Sequence, residues 1–217
     1  LNFTNEGGVC GTVRLLKNIT GLWLLEGCRK KWMEEGTDWS WKELLALGES
    51  APSARSLIDP DDEAFVRPAD MMAAIDEFCR STGQPVPSDP GQYVRTVLES
   101  LALKYRRVLE QLECITGTTF RTIRVIGGGA RNEMLNRLTA AVTGRTVIAG
   151  PVEATAFGNI AMQMLASGAV GSLEAAREVI ERSEPPVRFE PRREDWNSVY
   201  RTFGDVLARR AECLARR

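Results

Sequence analysis

With 217 residues, 43% of them hydrophobic, the chain has the material for one large domain or two small ones and a sizeable core. A formal net charge of -1 argues against the broad basic surface that binding a nucleic-acid backbone requires. No apolar run approaches the roughly 20 residues of a membrane helix, and the first residues lack the basic-then-apolar pattern of a secretory signal, so neither nucleic acid nor membrane is expected as a partner.

Residues 1–16 read as a turn around Gly7-Gly8 and Gly11 followed by a short strand, Thr12-Val13-Arg14-Leu15-Leu16. Over residues 20–35, Trp23, Leu24, Cys28 and Trp32 recur at helical spacing, and Gly36 stands where a C-terminal cap belongs. Ser40 is placed to cap a short helix carrying Leu44 and Leu45. Trp39 and Trp41 suit packing better than a base-stacking platform, because no basic interleaving accompanies them. The carboxylates of Asp59, Asp61, Asp62 and Glu63 lack calcium-loop spacing and its glycine, so they read as a solvated acidic turn rather than a metal site. Pro68 suits the first position of the next helix, whose apolar face is Met72, Ile75, Phe78 and Cys79 and which ends by Gly83. Three prolines between residues 84 and 91 mark a loop.

From 92 to 115, Val94, Val97, Leu98, Leu101, Tyr105, Val108, Leu109 and Leu112 repeat at spacings of three and four, predicting a long helix. A strand, Ile123-Arg124-Val125-Ile126, then meets three glycines and a helix with Met134, Leu135, Leu138, Ala141 and Val142 on one face, ending at Gly144. Thr146-Val147-Ile148-Ala149 supplies another strand. The following helix is expected to turn Phe157, Ile160, Ala161, Met164 and Leu165 inward and to stop at Gly168. Gly158 within it costs about 1 kcal/mol relative to alanine, which implies close approach of a helix or a ligand. Ser172 caps a helix broken by Glu184-Pro185-Pro186, and residues 194–216 form an amphipathic closing helix through Trp196, Val199, Tyr200, Phe203, Val206, Leu207 and Leu214. Strands alternating with helices of this length predict an α/β fold with a mostly parallel sheet.

The junction Gly127-Gly128-Gly129 is the first candidate for a ligand, since glycines let a ligand approach the backbone and the next helix presents unpaired amides and a positive dipole end to an anion. A tight turn without a ligand is the alternative. A dinucleotide fingerprint fails at Asn132, where a third-position glycine is needed, and its acidic residue is matched only loosely by Glu153 beyond Gly150-Pro151. A Walker loop fails at Ala130-Arg131-Asn132. Histidine is absent, which excludes histidine triads and the usual mixed zinc sites within the chain and leaves acid-base work to carboxylates, lysine, tyrosine or cysteine. The five cysteines are widely spaced without a Cys-x-x-Cys pair, as in a reduced, cytoplasmic protein.

Ile126-Gly127-Gly128-Gly129-Ala130-Arg131-Asn132 resembles the adenosine motif of the FGGY carbohydrate kinases, and Glu153-Ala154-Thr155-Ala156-Phe157-Gly158-Asn159 resembles the later glycine-bearing helix of that family. Thr4-Asn5-Glu6-Gly7-Gly8, residues 17–25 and residues 147–154 are similar, in order, to segments of the branch that acts on L-rhamnulose. The resemblance implies an actin/hexokinase-like (ribonuclease H-like) ATPase lobe, incomplete at its N-terminal edge, with a largely helical portion at 20–115, an adenosine-motif core at 121–168 and closing helices at 172–217. It implies ATP and Mg2+ as cofactors and phosphorylation of L-rhamnulose at its 1-hydroxyl. Gly127, Gly128 and Gly129 would lie against the nucleotide, Asn132 would reach its adenine or ribose, and Asn18 would stand near substrate and phosphates. Glu26 takes a place where relatives carry glutamine near the nucleotide, and a carboxylate accepts but cannot donate a hydrogen bond.

In the family the catalytic aspartate and an Asp-x-Gly-Thr phosphate loop lie upstream. No Asp-x-Gly-Thr occurs here, and Asp38, Asp59, Asp70, Asp76, Asp89 and Asp205 lack the expected context. With its first residue Leu1, the chain therefore reads as the greater part of a C-terminal lobe, inactive without an N-terminal lobe. A nicotinamide-dependent oxidoreductase domain and a non-catalytic kinase-like interaction module are the alternative readings.

Overall fold

The computed structural model describes residues 2–192 and 195–215; residues 1, 194 and 216, at the ends of predicted elements, lie outside the described part. The chain divides into two compact units, 1–104 joined by 202–217, and 105–201.

The first unit begins with an antiparallel hairpin of β1 (Thr4–Gly7) and β2 (Val13–Leu16), Thr4 facing Leu16. Only the second strand is legible in the sequence, because β1 is polar and exposed along its whole length and carries no alternation. Helices α1 (Trp23–Glu34), α2 (Trp41–Ser50) and α3 (Met71–Ser81) follow, then the long α4 (Pro90–Thr116), which continues into the second unit. Ser40 and Glu43 form a reciprocal capping box at the start of α2, as Ser40 led us to expect. The third helix starts later than Pro68 suggests. Asp70 caps it by accepting from the Ala73 amide at 3.0 Å, so the buried face begins at Met71 rather than Met72.

Leu24, Leu25, Cys28, Ile75, Phe78, Leu98 and Leu101 make the core of this unit, with Phe203 and Val206 contributed by α8 (Trp196–Ala215). Trp32 meets Tyr93 edge-on at 6.2 Å and Phe65 lies 5.7 Å from Phe78. Trp23 and Leu214, although in phase with their helices, are 56% and 44% exposed. Burial drives the Cys28 thiol, helped by the charges of Asp70 and Asp76, up to about 12. All five cysteines are free.

In the acidic stretch at 59–63 Glu63 is exposed as expected, but the three aspartates are not a solvated turn. Asp62 is buried and accepts two hydrogen bonds from Arg210, and Asp59 and Asp61 both pair with Lys104. The cationic partners of these aspartates lie 43 to 148 residues away in the chain, beyond any local sequence pattern.

In the second unit β3 (Thr122–Val125) pairs in parallel with β4 (Thr146–Ala149), and β5 (Val187–Phe189) pairs antiparallel with β4. The sheet is therefore mixed, not mostly parallel. Three residues after two prolines carry too little pattern to announce a strand. Helix α5 (Glu133–Thr143) packs Met134, Leu135, Leu138 and Val142 beside β4 and ends at Gly144, whose φ of 64° is the left-handed cap that glycine adopts without strain. Helices α6 (Ala154–Ala166) and α7 (Leu173–Ser183) pack on each other, α7 capped by Ser172. Along α6 only Ala161 is buried; Ile160 is 52% exposed, against the expectation of an inward face. A Cβ on Gly158 would meet nothing within 4 Å, so no neighbouring helix explains that glycine. Among the described residues no helix is long and apolar enough to cross a membrane.

Candidate functional site

The glycine turn sits at the carboxyl ends of the two parallel strands, the edge where open α/β sheets bind ligands. Two backbone bonds lace it to the loop after β4: the Gly127 amide donates to the Pro151 carbonyl at 3.0 Å, and the Gly150 amide to the Val125 carbonyl at 2.8 Å. Gly127 has φ +76° and needs to be glycine for that reason. Gly128 needs another explanation. A Cβ there would meet no heavy atom within 4 Å, and one on Gly129 would find only Val125 Cγ1 at 3.7 Å. The two glycines form an open ledge flanked by exposed Ile126.

The three glycines are themselves part of a 3-10 turn, Gly127–Arg131, which leads to α5 through Asn132. Asn132 caps α5. Its Oδ1 accepts from the Leu135 amide at 3.0 Å, and the residue is only 6% exposed. With Glu133 adding a carboxylate to the first turn, this end of the helix holds its own counter-groups, and its demand for an external anion is smaller than expected. The cap engages the side-chain oxygen of Asn132 and leaves its amide nitrogen as the side-chain donor. Replacing Asn132 with alanine is expected to cost about 1 kcal/mol through loss of the cap, read as a lower denaturation midpoint; an unchanged midpoint would remove the cap from the account.

Asn136 is a residue the sequence reading missed. It is 1% exposed and its side-chain amide donates to the Ala130 carbonyl at 3.0 Å, pinning the glycine turn to α5. The signal was available as a second asparagine one helical turn after Asn132 on the apolar face. Arg131 and Glu153 approach to 3.7 Å across the turn, but both are 72% exposed. Solvent screening leaves that pair little energetic weight.

Asn18 and Glu26 belong to the first unit. Glu26 is exposed in the first turn of α1, a favourable place for a carboxylate against the helix dipole. Exposed Asn18 lies on the segment between β2 and α1 and lines a cavity of about 650 Å³ together with Lys17, Ile19, Thr20, Asp61 and Lys104. Burial lowers the proton affinity of Lys104, but hydrogen bonds and charge from Asp59 and Asp61 outweigh it, holding the ammonium above its ordinary value. The cavity wall thus keeps a permanent cation. Among the described residues no group of three or more carboxylate, cysteine or histidine side chains is gathered as a metal ion would require.

Residues 1–167 match the model of the FGGY family of carbohydrate kinases, C-terminal domain. The chain is 50% identical over 208 residues to a rhamnulokinase of Bacteroides thetaiotaomicron, covering 95% of this chain and 42% of the relative. A rhamnulokinase of Bacillus subtilis is 36% identical over 206 residues, with the same coverage. The chain spans about two fifths of the length of the curated relatives it matches. Its fold is shared with a xylulose kinase from Rhodospirillum rubrum, at TM-score 0.60 and 20% identity over 85% of this chain and 37% of the other. A Plasmodium falciparum glycerol kinase with ADP has the same TM-score at 15% identity, over 88% and 37% of the two chains. By the family model and by its identity with these relatives, the chain belongs to the FGGY family of carbohydrate kinases.

Proposed function

We propose that the chain is the nucleotide-binding C-terminal lobe of a sugar kinase that transfers the γ-phosphoryl group of ATP to the 1-hydroxyl of L-rhamnulose. The observation that carries this reading is the open ledge at Gly128 and Gly129, at the carboxyl ends of parallel strands β3 and β4. A flat adenosine fits a ledge where no side chain projects, with Gly127 shaping the turn and Asn132 offering its amide nitrogen. The identity of up to 50% with rhamnulokinases supports L-rhamnulose as the sugar.

During transfer the sugar hydroxyl oxygen forms a bond to the γ-phosphorus, the bond from that phosphorus to the bridging oxygen breaks, and ADP departs. The hydroxyl proton passes to a base, which we place in the N-terminal lobe of the whole enzyme; Mg2+, when bound, neutralises charge on the phosphates. The lobe supplies binding and orientation. Asn18 would take part in holding substrate, a role supported by its position on the wall of a cavity. Alone, the chain is expected to be catalytically silent.

MgADP at 100 times its dissociation constant should stabilise the chain by about 2.7 kcal/mol, or roughly 5 to 11 °C in melting temperature. NADH should give no shift. Gly128→Ala separates folding from binding: its Cβ fits without a clash, so stability should stay within about 0.5 kcal/mol of wild type. The MgADP shift should disappear. A chimera in which this chain follows the N-terminal lobe of the Bacteroides relative should release ADP only when L-rhamnulose is present. Absence of both the shift and the turnover would leave a non-catalytic interaction module as the better account.

A further inference from the structure

The wall of the Asn18 cavity is held from behind by charges that no part of the proposed chemistry has yet used. The Thr20 amide donates to Asp61 Oδ1 at 2.8 Å, which ties the segment carrying Asn18 to the acidic loop 41 residues later. The other oxygen of the same carboxylate, Oδ2, lies 2.9 Å from Lys104 Nζ, which also donates to Asp59 Oδ1 at 2.7 Å. Lys104 comes from α4, and its side chain is 10% exposed; those of the two aspartates are 25% exposed. The segment 17–20 and α4 therefore converge on one carboxylate of the acidic loop. The segment 17–20 lies between β2 and α1, outside both, so its path past the cavity depends on such side-chain anchors.

The geometry points to Lys104 as a positioning residue: through Asp61 it fixes the Thr20 backbone and so sets where Asn18 stands on the cavity wall. This rests on the proposed role of Asn18 in holding the sugar substrate of a kinase. Without the ammonium, Asp59 and Asp61 face each other as like charges in a half-buried site, and their repulsion drives Asp61 toward solvent and away from Thr20. Asp59 is then the source of the damage rather than a bystander. Removing its charge should undo part of the damage, although it adds no cation and no packing.

Lys104→Met and the double variant Lys104→Met/Asp59→Asn test this. In the 217-residue chain, amide hydrogen exchange at Thr20 should accelerate about tenfold or more in the single variant and return partway in the double one. In the chimera with the Bacteroides N-terminal lobe, the KM for L-rhamnulose should rise about tenfold with the KM for ATP nearly unchanged, and the double variant should recover part of that loss. Unchanged Thr20 exchange, or faster exchange with an unchanged sugar KM, would overturn the proposal. So would equal damage in the single and double variants, which would mean lost packing rather than lost positioning. Should the wild-type chimera fail to turn over sugar, the kinase reading falls, while the exchange measurement still decides whether Lys104 holds the wall.

Discussion

Arg210→Met is expected to lower the stability of the first unit by about 3 to 5 kcal/mol, the cost of leaving one member of a buried ion pair alone. The side chains of Arg210 and Asp62 are 9% and 5% exposed. Arg210 donates to both carboxylate oxygens, Nε to Oδ2 at 2.7 Å and Nη2 to Oδ1 at 2.9 Å, and its Nη1 reaches Ser81 Oγ at 3.1 Å. The guanidinium also lies 5.0 Å from the centre of the Phe78 ring. Methionine keeps the apolar stem and removes the cation, so the loss measures the uncompensated carboxylate more than the packing. Burial by itself would raise the Asp62 carboxyl, but the Arg210 hydrogen bonds and the Ala64 amide outweigh it and hold it below the ordinary aspartate value. A carboxyl with a depressed folded value contributes stability that is complete above the unfolded value, about 3.9, and lost as pH falls through the lower folded one. In the variant the unpaired carboxyl protonates readily. The gap between wild type and variant should therefore be widest near neutral pH and narrow in acid. Urea denaturation at pH 7 and at pH 3.5 reads this directly, and a gap under about 1 kcal/mol at pH 7 would mean that water replaces the arginine.

Glu99→Ala should cost about 3 kcal/mol for a related reason. Glu99 is fully buried in α4, where its carboxylate accepts from Arg95 Nε at 2.5 Å, from Ser53 Oγ at 2.7 Å and from the Ala54 amide at 2.7 Å. Ala54 adopts φ +54°, a left-handed conformation that costs an L-residue about 1 to 2 kcal/mol. The hydrogen bond to Glu99 offsets that strain. Alanine at 99 leaves Arg95 Nε and the Ala54 amide without their acceptor, and the 51–57 segment should become the first site of proteolytic cleavage. Glu99→Gln keeps an acceptor oxygen but removes the charge, and should lose clearly less. Equal losses for the two variants would show that the charge, not the shape of the side chain, holds the segment.

Much of the secondary structure was legible because it is written in short-range chemistry. The three- and four-residue spacing of α4, the Ser40 and Ser172 caps and the left-handed glycines at 36, 83 and 144 act within one or two helical turns. The candidate site was legible in its parts. Gly127, Gly128 and Gly129 do form an open turn at the strand ends, yet the buried cap made by Asn132 and the pin made by Asn136 depend on how the turn folds back on α5. The family resemblance points to Asn18, but nothing in the sequence shows the cavity it lines.

The sequence by itself determined the order and type of most helices, the parallel pairing of two strands around a glycine turn, and membership of the FGGY family. Only the tertiary structure decided what the acidic loop does, because its partners Lys104 and Arg210 are brought to it by helices packed from elsewhere in the chain. It also decided that β1 and β5 are strands, since both are too short or too polar to announce themselves and exist through the strands they pair with. The outward turn of Ile160 and the open space at Gly158 follow the same rule. Periodicity states which residues share a helix face, and only packing states which face is covered.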